Sequence, residues 1–181
     1  QYLIAKYDFD GFRIDTLKYV EEDFARVFGA ACREFALSIG KKNFFTYGEI
    51  WEDSQDAESK IARFIGRNTD LDQEPIGVDA ALDFPLFRHL NDIIKKGAPP
   101  VELEKMFSRR RIAHRKLLSS HGEASRFFVT FLDNHDLDQR FYFQPPGSPN
   151  QLDDQLVLAL TCLFCLQGIP CVYYGTEQAL H

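Results

Sequence analysis

An arginine and an aspartate stand two residues apart at the end of an otherwise apolar run, "DFDGFRIDTLKYV", residues 8 to 20. Phe9, Gly11, Phe12 and Ile14 suit a buried strand, whereas Arg13 and Asp15 are costly there unless they are paired or put to use. Two further carboxylates close similar runs, Glu49 in "NFFTYGEIW" (43 to 51) and Asp136 in "RFFVTFLDNHD" (126 to 136). Carboxylates gathered from distant positions can act as nucleophile, acid and base. Retaining cleavage of a glycosidic bond is one such use: one carboxylate attacks and one carboxylic acid gives a proton, the two being about 5 to 5.5 Å apart. Arg13 beside Asp15 favours the ionised, attacking form. Glu49 stands between Gly48 and the apolar pair Ile50 and Trp51, where desolvation favours the protonated, donating form. Asp136 and the adjacent His135 could then grip sugar hydroxyls.

These residues meet only if the chain brings the ends of its strands together. Residues 17 to 39 carry apolar side chains at Val20, Phe24, Val27, Phe28, Ala31, Phe35 and Ile39, a helical spacing closed by Gly40. The alternation continues with strand 43–51, a helix near 54–66, strand "VDAALDF" (78–84), and helices near 86–96 and 101–118. Strand 126–136, a helix near 152–166 and strand "IPCVYYG" (169–175) follow. Strands alternating with helices predict a parallel sheet, either doubly wound or closed as a barrel. The polar residues decide between the two. Arg13 with Asp15, Glu49, Asn134 with His135 and Asp136, and Glu177 stand at or just beyond strand C-termini, where barrel enzymes build their sites. No glycine-rich phosphate loop opens a strand, as a nucleotide-binding sheet would require. The expected fold is α/β, with parallel strands arranged as in a barrel. Loops near 66–77 and 141–151, rich in Gly, Pro, Asn and Asp, are expected on the same face or in its crossovers.

Composition narrows the partners. The 181 residues are 45% apolar and 14% aromatic, enough for one sizeable core. With 27 acidic and 21 basic side chains, the formal net charge of −6 gives no footprint for nucleic acid or an anionic membrane. The longest apolar run, "LVLALTCLFCL" (156–166), has the length of a core helix rather than of a bilayer span. Cys162, Cys165 and Cys171 lie among Leu, Phe and Val and read as buried thiols rather than a redox or metal pair. The basic run "SRRRIAHRK" (108–116) reads as the solvated face of a helix. Plain readings also exist for the site residues taken singly: Arg13 with Asp15 as a structural ion pair, Glu49 as a surface strand end, "DNHD" as a turn or metal set, Trp51 as core. Tyr173 and Tyr174 would alternate across a strand, so that at most one faces inward. No export signal is recognisable, and the compartment is open.

In that order, "GFRIDTLKY" (11–19), "GEIW" (48–51) and "FLDNHD" (131–136) resemble three motifs of the α-amylase family of glycoside hydrolases. "GIPCVYYGTEQ" (168–178) resembles that family's eighth strand and following loop, and "LDFPLF" (82–87) its sixth. The resemblance implies a (β/α)8 catalytic barrel that hydrolyses α-glucosidic bonds of starch-like glucans with retention. It implies Asp15 as nucleophile, Glu49 as general acid/base and Asp136 as transition-state stabiliser. Arg13 and His135 would support the reacting sugar, and Lys18 would line a neighbouring aglycone subsite, with Tyr19 and Trp51 as further substrate contacts. Tyr19 stands where many members have histidine, which alters that subsite and any backbone-assisted calcium site there. The chemistry needs no cofactor and no metal ligand is assigned, although the resemblance allows a structural calcium in a longer protein. The implied partner is an α-glucan or oligosaccharide, with no nucleic acid and no membrane.

By the same resemblance residues 1–181 span about strands four to eight, without the first three strands, the inserted domain and the C-terminal β-domain. A half-barrel with open edges is expected to self-associate and to be nearly inactive alone. Three alternatives stand beside hydrolysis. In an α-glucan transglycosylase a sugar hydroxyl replaces the attacking water. A non-catalytic glycan-binding domain commonly lacks one carboxylate, and all three are present. A metal-dependent hydrolase needs a His and Asp cluster, and only His135 stands at a strand end.

Overall fold

The computed structural model describes residues 1–65, 68–69, 77–114, 118–119, 124–142 and 152–180. Two compact units emerge: Gln1–Leu82 with Arg110–Phe128, and Asp83–Arg109 with Val129–His181. The expected loops at 66–77 and 141–151 fall almost wholly outside the described residues.

The first unit contains α1 (Tyr2–Tyr7), β1 (Gly11–Ile14), α2 (Glu22–Ser38), β2 (Phe45–Gly48), α3 (Ala57–Arg63), β3 (Asn68–Thr69), β4 (Ala80–Leu82) and β5 (Leu118–Ser119). β1 pairs in parallel with β2 from Gly11–Phe45 to Ile14–Gly48, and β2 pairs in parallel with β4 through Tyr47–Ala80. The strands approach so closely that a Cβ on Gly11 would lie 2.2 Å from the Phe45 carbonyl oxygen. Leu17, Ile50, Ile61, Ile65, Val78, Ala81 and Phe128 form the core against which these elements pack. Asp79, buried in that core region, accepts the Thr46 N–H at 2.8 Å and the Thr46 hydroxyl at 2.9 Å, with Arg33 3.3 Å away. A buried carboxylate is tolerable because it is so satisfied.

The second unit holds α4 (Phe84–Lys96), most of α5 (Val101–His114) and of β6 (Phe128–Thr130), α6 (Leu152–Cys165) and β7 (Ile169–Pro170). α4 begins where the Asp83 carboxylate accepts the Leu86 N–H at 3.0 Å. Pro85 sits in that first turn, where a missing N–H costs nothing. It ends at Gly97, whose φ of 72° is the left-handed cap that glycine adopts freely. Leu86, Leu90 and Ile94 of α4 pack with Met106 of α5 and with Leu156, Ala159 and Leu163 of α6. β6 and β7 pair in parallel through Val129–Ile169.

The element order follows the predicted alternation, but the strands are shorter. The 169–175 strand ends at Pro170, and the Cys171 N–H makes one further bond to the neighbouring strand, donating to the Thr130 carbonyl at 2.8 Å. Tyr173 and Tyr174 therefore do not alternate across a sheet; their rings pack edge to face 4.7 Å apart, and Tyr174 is 72% exposed. The 17–39 helix is split, because Thr16 is left-handed and Val20 extended; a 3-10 turn at Leu17–Tyr19 precedes α2. Leu118 belongs to β5, paired antiparallel with β3, not to a helix. Cys165 is exposed, since it lies on the outward side of α6, while burial pushes the Cys162 and Cys171 thiols up.

The basic run also departs from its reading as a solvated face. Arg110 is 1% exposed, donates through Nε to Glu58 of α3 at 2.6 Å, and lies with Cζ 4.4 Å from the Phe128 ring centre. Removing one partner of a buried pair leaves its counter-charge uncompensated, at a cost of about 3–5 kcal/mol. Arg110→Ala should therefore lower the urea midpoint of the chain by an amount equivalent to about 3–5 kcal/mol. A midpoint equal to the parent's would show that Glu58 does not depend on Arg110.

Candidate active site

β1 delivers Arg13, with Asp15 one residue past its end, and β2 delivers Glu49 one residue past its own. The parallel register matches Ile14 with Gly48, and the Glu49 N–H continues it by donating to the Ile14 carbonyl at 2.9 Å. The two carboxylates thus leave neighbouring strands side by side. Leu17, fully buried, wedges the chain beyond Asp15 against β2, and a Cβ on Gly48 would lie 2.3 Å from Leu17 Cδ2.

Arg13 joins the pair. Its Nη1 donates to Asp15 Oδ1 at 2.5 Å, and its Nη2 lies 3.2 Å from Glu49 Oε1. The other Glu49 oxygen, Oε2, accepts the Thr16 N–H at 3.1 Å. Glu49 is buried, while the Asp15 side chain is 66% exposed. The purely apolar setting expected for Glu49 is not found, because the chain that surrounds it also brings a guanidinium and a backbone N–H. The arrangement offers one carboxylate to a solvent-borne substrate and holds the second in a fixed direction beside it. Arg13 with Asp15 is therefore more than a two-member ion pair.

Lys18 donates to the Trp51 carbonyl at 3.0 Å, lies 3.3 Å from Glu52, and stands 5.9 Å from the Tyr19 ring centre. Tyr19 is 82% exposed and Trp51 is 39% exposed. Trp51 is no core residue; its indole N–H donates to Asp53 at 3.2 Å. Glu52, which sequence reading passed over, is held well below the usual carboxylate range, at about 2, first by the Ser54 hydroxyl, next by the Ser54 N–H, and also by Lys18.

In the second unit His135 Nε2 lies 3.2 Å from Asp136 Oδ2, both side chains exposed. The Asp136 N–H donates to Asn134 Oδ1 at 2.9 Å, and Asn134 Nδ2 is buried with no hydrogen-bond partner among the described residues. The loop is pinned at buried Asp133. That carboxylate accepts the Phe141 N–H at 2.9 Å, Arg140 Nε at 3.1 Å and the Thr176 hydroxyl at 2.7 Å. Arg140 also donates to the Tyr174 carbonyl at 2.7 Å and to Thr176 Oγ1 at 3.0 Å, with its guanidinium 4.4 Å from the Tyr173 ring centre. Sequence reading missed Asp133, Arg140 and Thr176 as a group; an acidic residue flanked by Leu132 and Asn134 in an apolar run was the available signal.

The predicted site residues accordingly fall into two groups. Arg13, Asp15, Lys18, Tyr19, Glu49 and Trp51 belong to the first unit, His135 and Asp136 to the second. Among the described residues no group of three or more His, Cys, Asp or Glu is placed to hold a metal. Nor is any described helix long and apolar enough to cross a membrane.

Asp15 and Glu49 thus leave the C-terminal ends of neighbouring parallel strands, the face on which barrel enzymes build their sites. The family described as alpha amylase, catalytic domain, matches residues 1–181, and the chain belongs to it. Its fold class is the segment of a parallel (β/α)8 TIM barrel predicted above. An alpha-amylase from Streptomyces lividans is 29% identical over 179 residues, covering 97% of this chain and 18% of that protein. A beta/alpha-amylase from Paenibacillus polymyxa is 29% identical over 181 residues, covering 98% of this chain and 12% of that protein. A cyclomaltodextrin glucanotransferase from Paenibacillus macerans is 24% identical over 173 residues, covering 93% and 20%. The chain thus spans no more than a fifth of the length of these relatives. The crystal structure of a noncanonic maltogenic alpha-amylase from Thermotoga neapolitana shares the fold, with a TM-score of 0.58 at 20% identity over 99% of this chain and 33% of that one.

Glu52 supplies a pH test of the loop that carries Trp51. Its pKa is lowered from 4.5 to about 2, so its contribution to stability is fully present above about pH 4.5 and is lost as pH falls toward 2. Glu52→Gln should be less stable than the parent at neutral pH, and the gap in urea midpoint should close across that window. A gap that stays constant from neutral pH down to about pH 2 would remove Glu52 from this role.

Proposed function

We propose that this chain carries the chemistry of a retaining glycoside hydrolase acting on α-glucosidic bonds of starch-like glucans. The observation that carries the reading is the single Arg13 guanidinium shared by Asp15 and Glu49. Exposed Asp15 attacks the anomeric carbon and forms the glycosyl-enzyme bond. Buried Glu49 gives its proton to the leaving oxygen, then takes one from the water that releases the sugar. Asp136, supported by His135, binds sugar hydroxyls as charge builds on the ring. Tyr19 and Trp51 offer exposed aromatic faces to sugars, and Lys18 offers its ammonium at the same subsite. These steps need no cofactor. An α-glucan or oligosaccharide is the partner that such a site takes.

Transfer to a second sugar is the other reading, favoured by the likeness to a cyclomaltodextrin glucanotransferase. It uses the same residues and differs in whether water or a sugar hydroxyl attacks the intermediate. Chromatography of products from a malto-oligosaccharide separates the two, since transfer yields chains longer than the substrate.

Asp15→Asn in the native protein should abolish turnover while glycan binding survives, because the amide fills the same space but cannot form the covalent bond. Activity within about tenfold of the parent would take the nucleophile role away from Asp15. Glu49→Gln should lose activity on glucans yet recover much of it on substrates whose leaving group departs without a proton. Equal losses on both kinds of substrate would contradict the acid role.

A further inference from the structure

Thr16 stands directly after Asp15 with φ 48° and ψ 35°, in the left-handed region. For a β-branched residue this is a genuine outlier, and such strain persists only where the surroundings over-determine it. The surroundings here do so on both sides. Arg13 holds Asp15 ahead of it, and Leu17 behind it is buried against Gly48. With Leu17 wedged, an ordinary φ at Thr16 would swing the Asp15–Thr16 peptide and carry its N–H away from Glu49. The strained turn instead aims that N–H at Glu49 Oε2, 3.1 Å away and 33 positions along the chain. Arg13 lies against the other oxygen, Oε1, at 3.2 Å. We infer that Thr16 is the positioning residue of Glu49: its left-handed backbone presents the N–H that fixes the direction of the carboxyl group.

The consequence for chemistry follows from the geometry of a carboxyl group. Two donors, one on each oxygen, settle both the rotation of the group and which lone pairs stay open. A proton donor whose direction is set in advance meets the leaving oxygen without a search. Thr16 therefore acts through Glu49 and touches no substrate. This step rests on the acid/base role proposed for Glu49, while the contact itself does not.

The test replaces threonine 16 by its α-hydroxy analogue, which turns the backbone N–H into an ester oxygen and leaves the side chain intact. Thr16→Gly serves as the companion, since glycine keeps the N–H and adopts the left-handed backbone freely. The first readout is the Cδ resonance of Glu49 in protein labelled with carbon-13 glutamate, assigned by its absence in Glu49→Gln. It should move in the ester variant and stay in place in Thr16→Gly, with thermal unfolding showing both variants folded. An unmoved resonance in the ester variant overturns the inference whatever the catalytic result. The second readout is kinetic. In the native protein the ester variant should lose about tenfold in kcat on a malto-oligosaccharide with KM unchanged, as expected for one lost hydrogen bond, and much less on an aryl glycoside with a good leaving group. Equal losses on both substrates would mark Thr16 as merely structural and overturn the inference. A displaced resonance together with a Glu49→Gln variant as active as its parent in the native protein would leave the contact standing and remove the acid/base function proposed for Glu49.

Discussion

Two carboxyl groups that leave adjacent parallel strands at matched positions repel each other when both are charged, and they gain little by being there unless a cation lies between them. Arg13 is that cation, and the local structure is arranged around it. Its own place in β1 puts it in register with Tyr47 and one step before the Ile14–Gly48 pair. From there its two terminal nitrogens reach Asp15 and Glu49 at once. A planar guanidinium with a fixed fork can do this, whereas a lysine ammonium, a single point of charge, would favour one partner over the other.

That reach is short, so the backbone must be exact to within fractions of an ångström. Gly11 lets β1 lie against the Phe45 carbonyl, and Gly48 leaves room for Leu17. Each glycine is thus needed for what a side chain would displace rather than for its conformational freedom. Leu17 converts the space at Gly48 into an anchor for the turn that carries Asp15 and Thr16. The apolar core of the first unit therefore reaches the chemistry through one leucine.

Much of this was legible in the residues, and the limits of legibility have physical causes. Alternating strands and helices, with Asp15 and Glu49 at strand ends, could be read because burial imposes a period on the side chains. Thr16 could not be read, since nothing in the threonine type announces a left-handed backbone; only the anchoring of its neighbours forces it. Arg110 was misread as solvated because a helix with several arginines in succession looks exposed, and the partner that buries it, Glu58, lies 52 positions away. Glu52 and Asp133 were passed over because their partners, Ser54 and Lys18 in one case and Arg140 and Thr176 in the other, are local turns and distant loops that composition does not pair. Strand ends were overestimated wherever apolar residues continued past the last ladder bond, as at Val172 and Tyr173.

The plain reading of Arg13 with Asp15 as a structural ion pair can be weighed against Arg110 with Glu58 in the same unit. A pair kept for structure is withdrawn from water, since an exposed pair contributes little. Arg110 and Glu58 fit that description, with side chains 1% and 11% exposed. Arg13 does not. Of the carboxyl groups beside it, Glu49 is buried and Asp15 lies mostly in solvent, which is a weak device for stability. What the arrangement does provide is a reachable carboxylate held beside a second one whose direction is fixed. The difference between the two arginines is therefore one of exposure rather than of residue type.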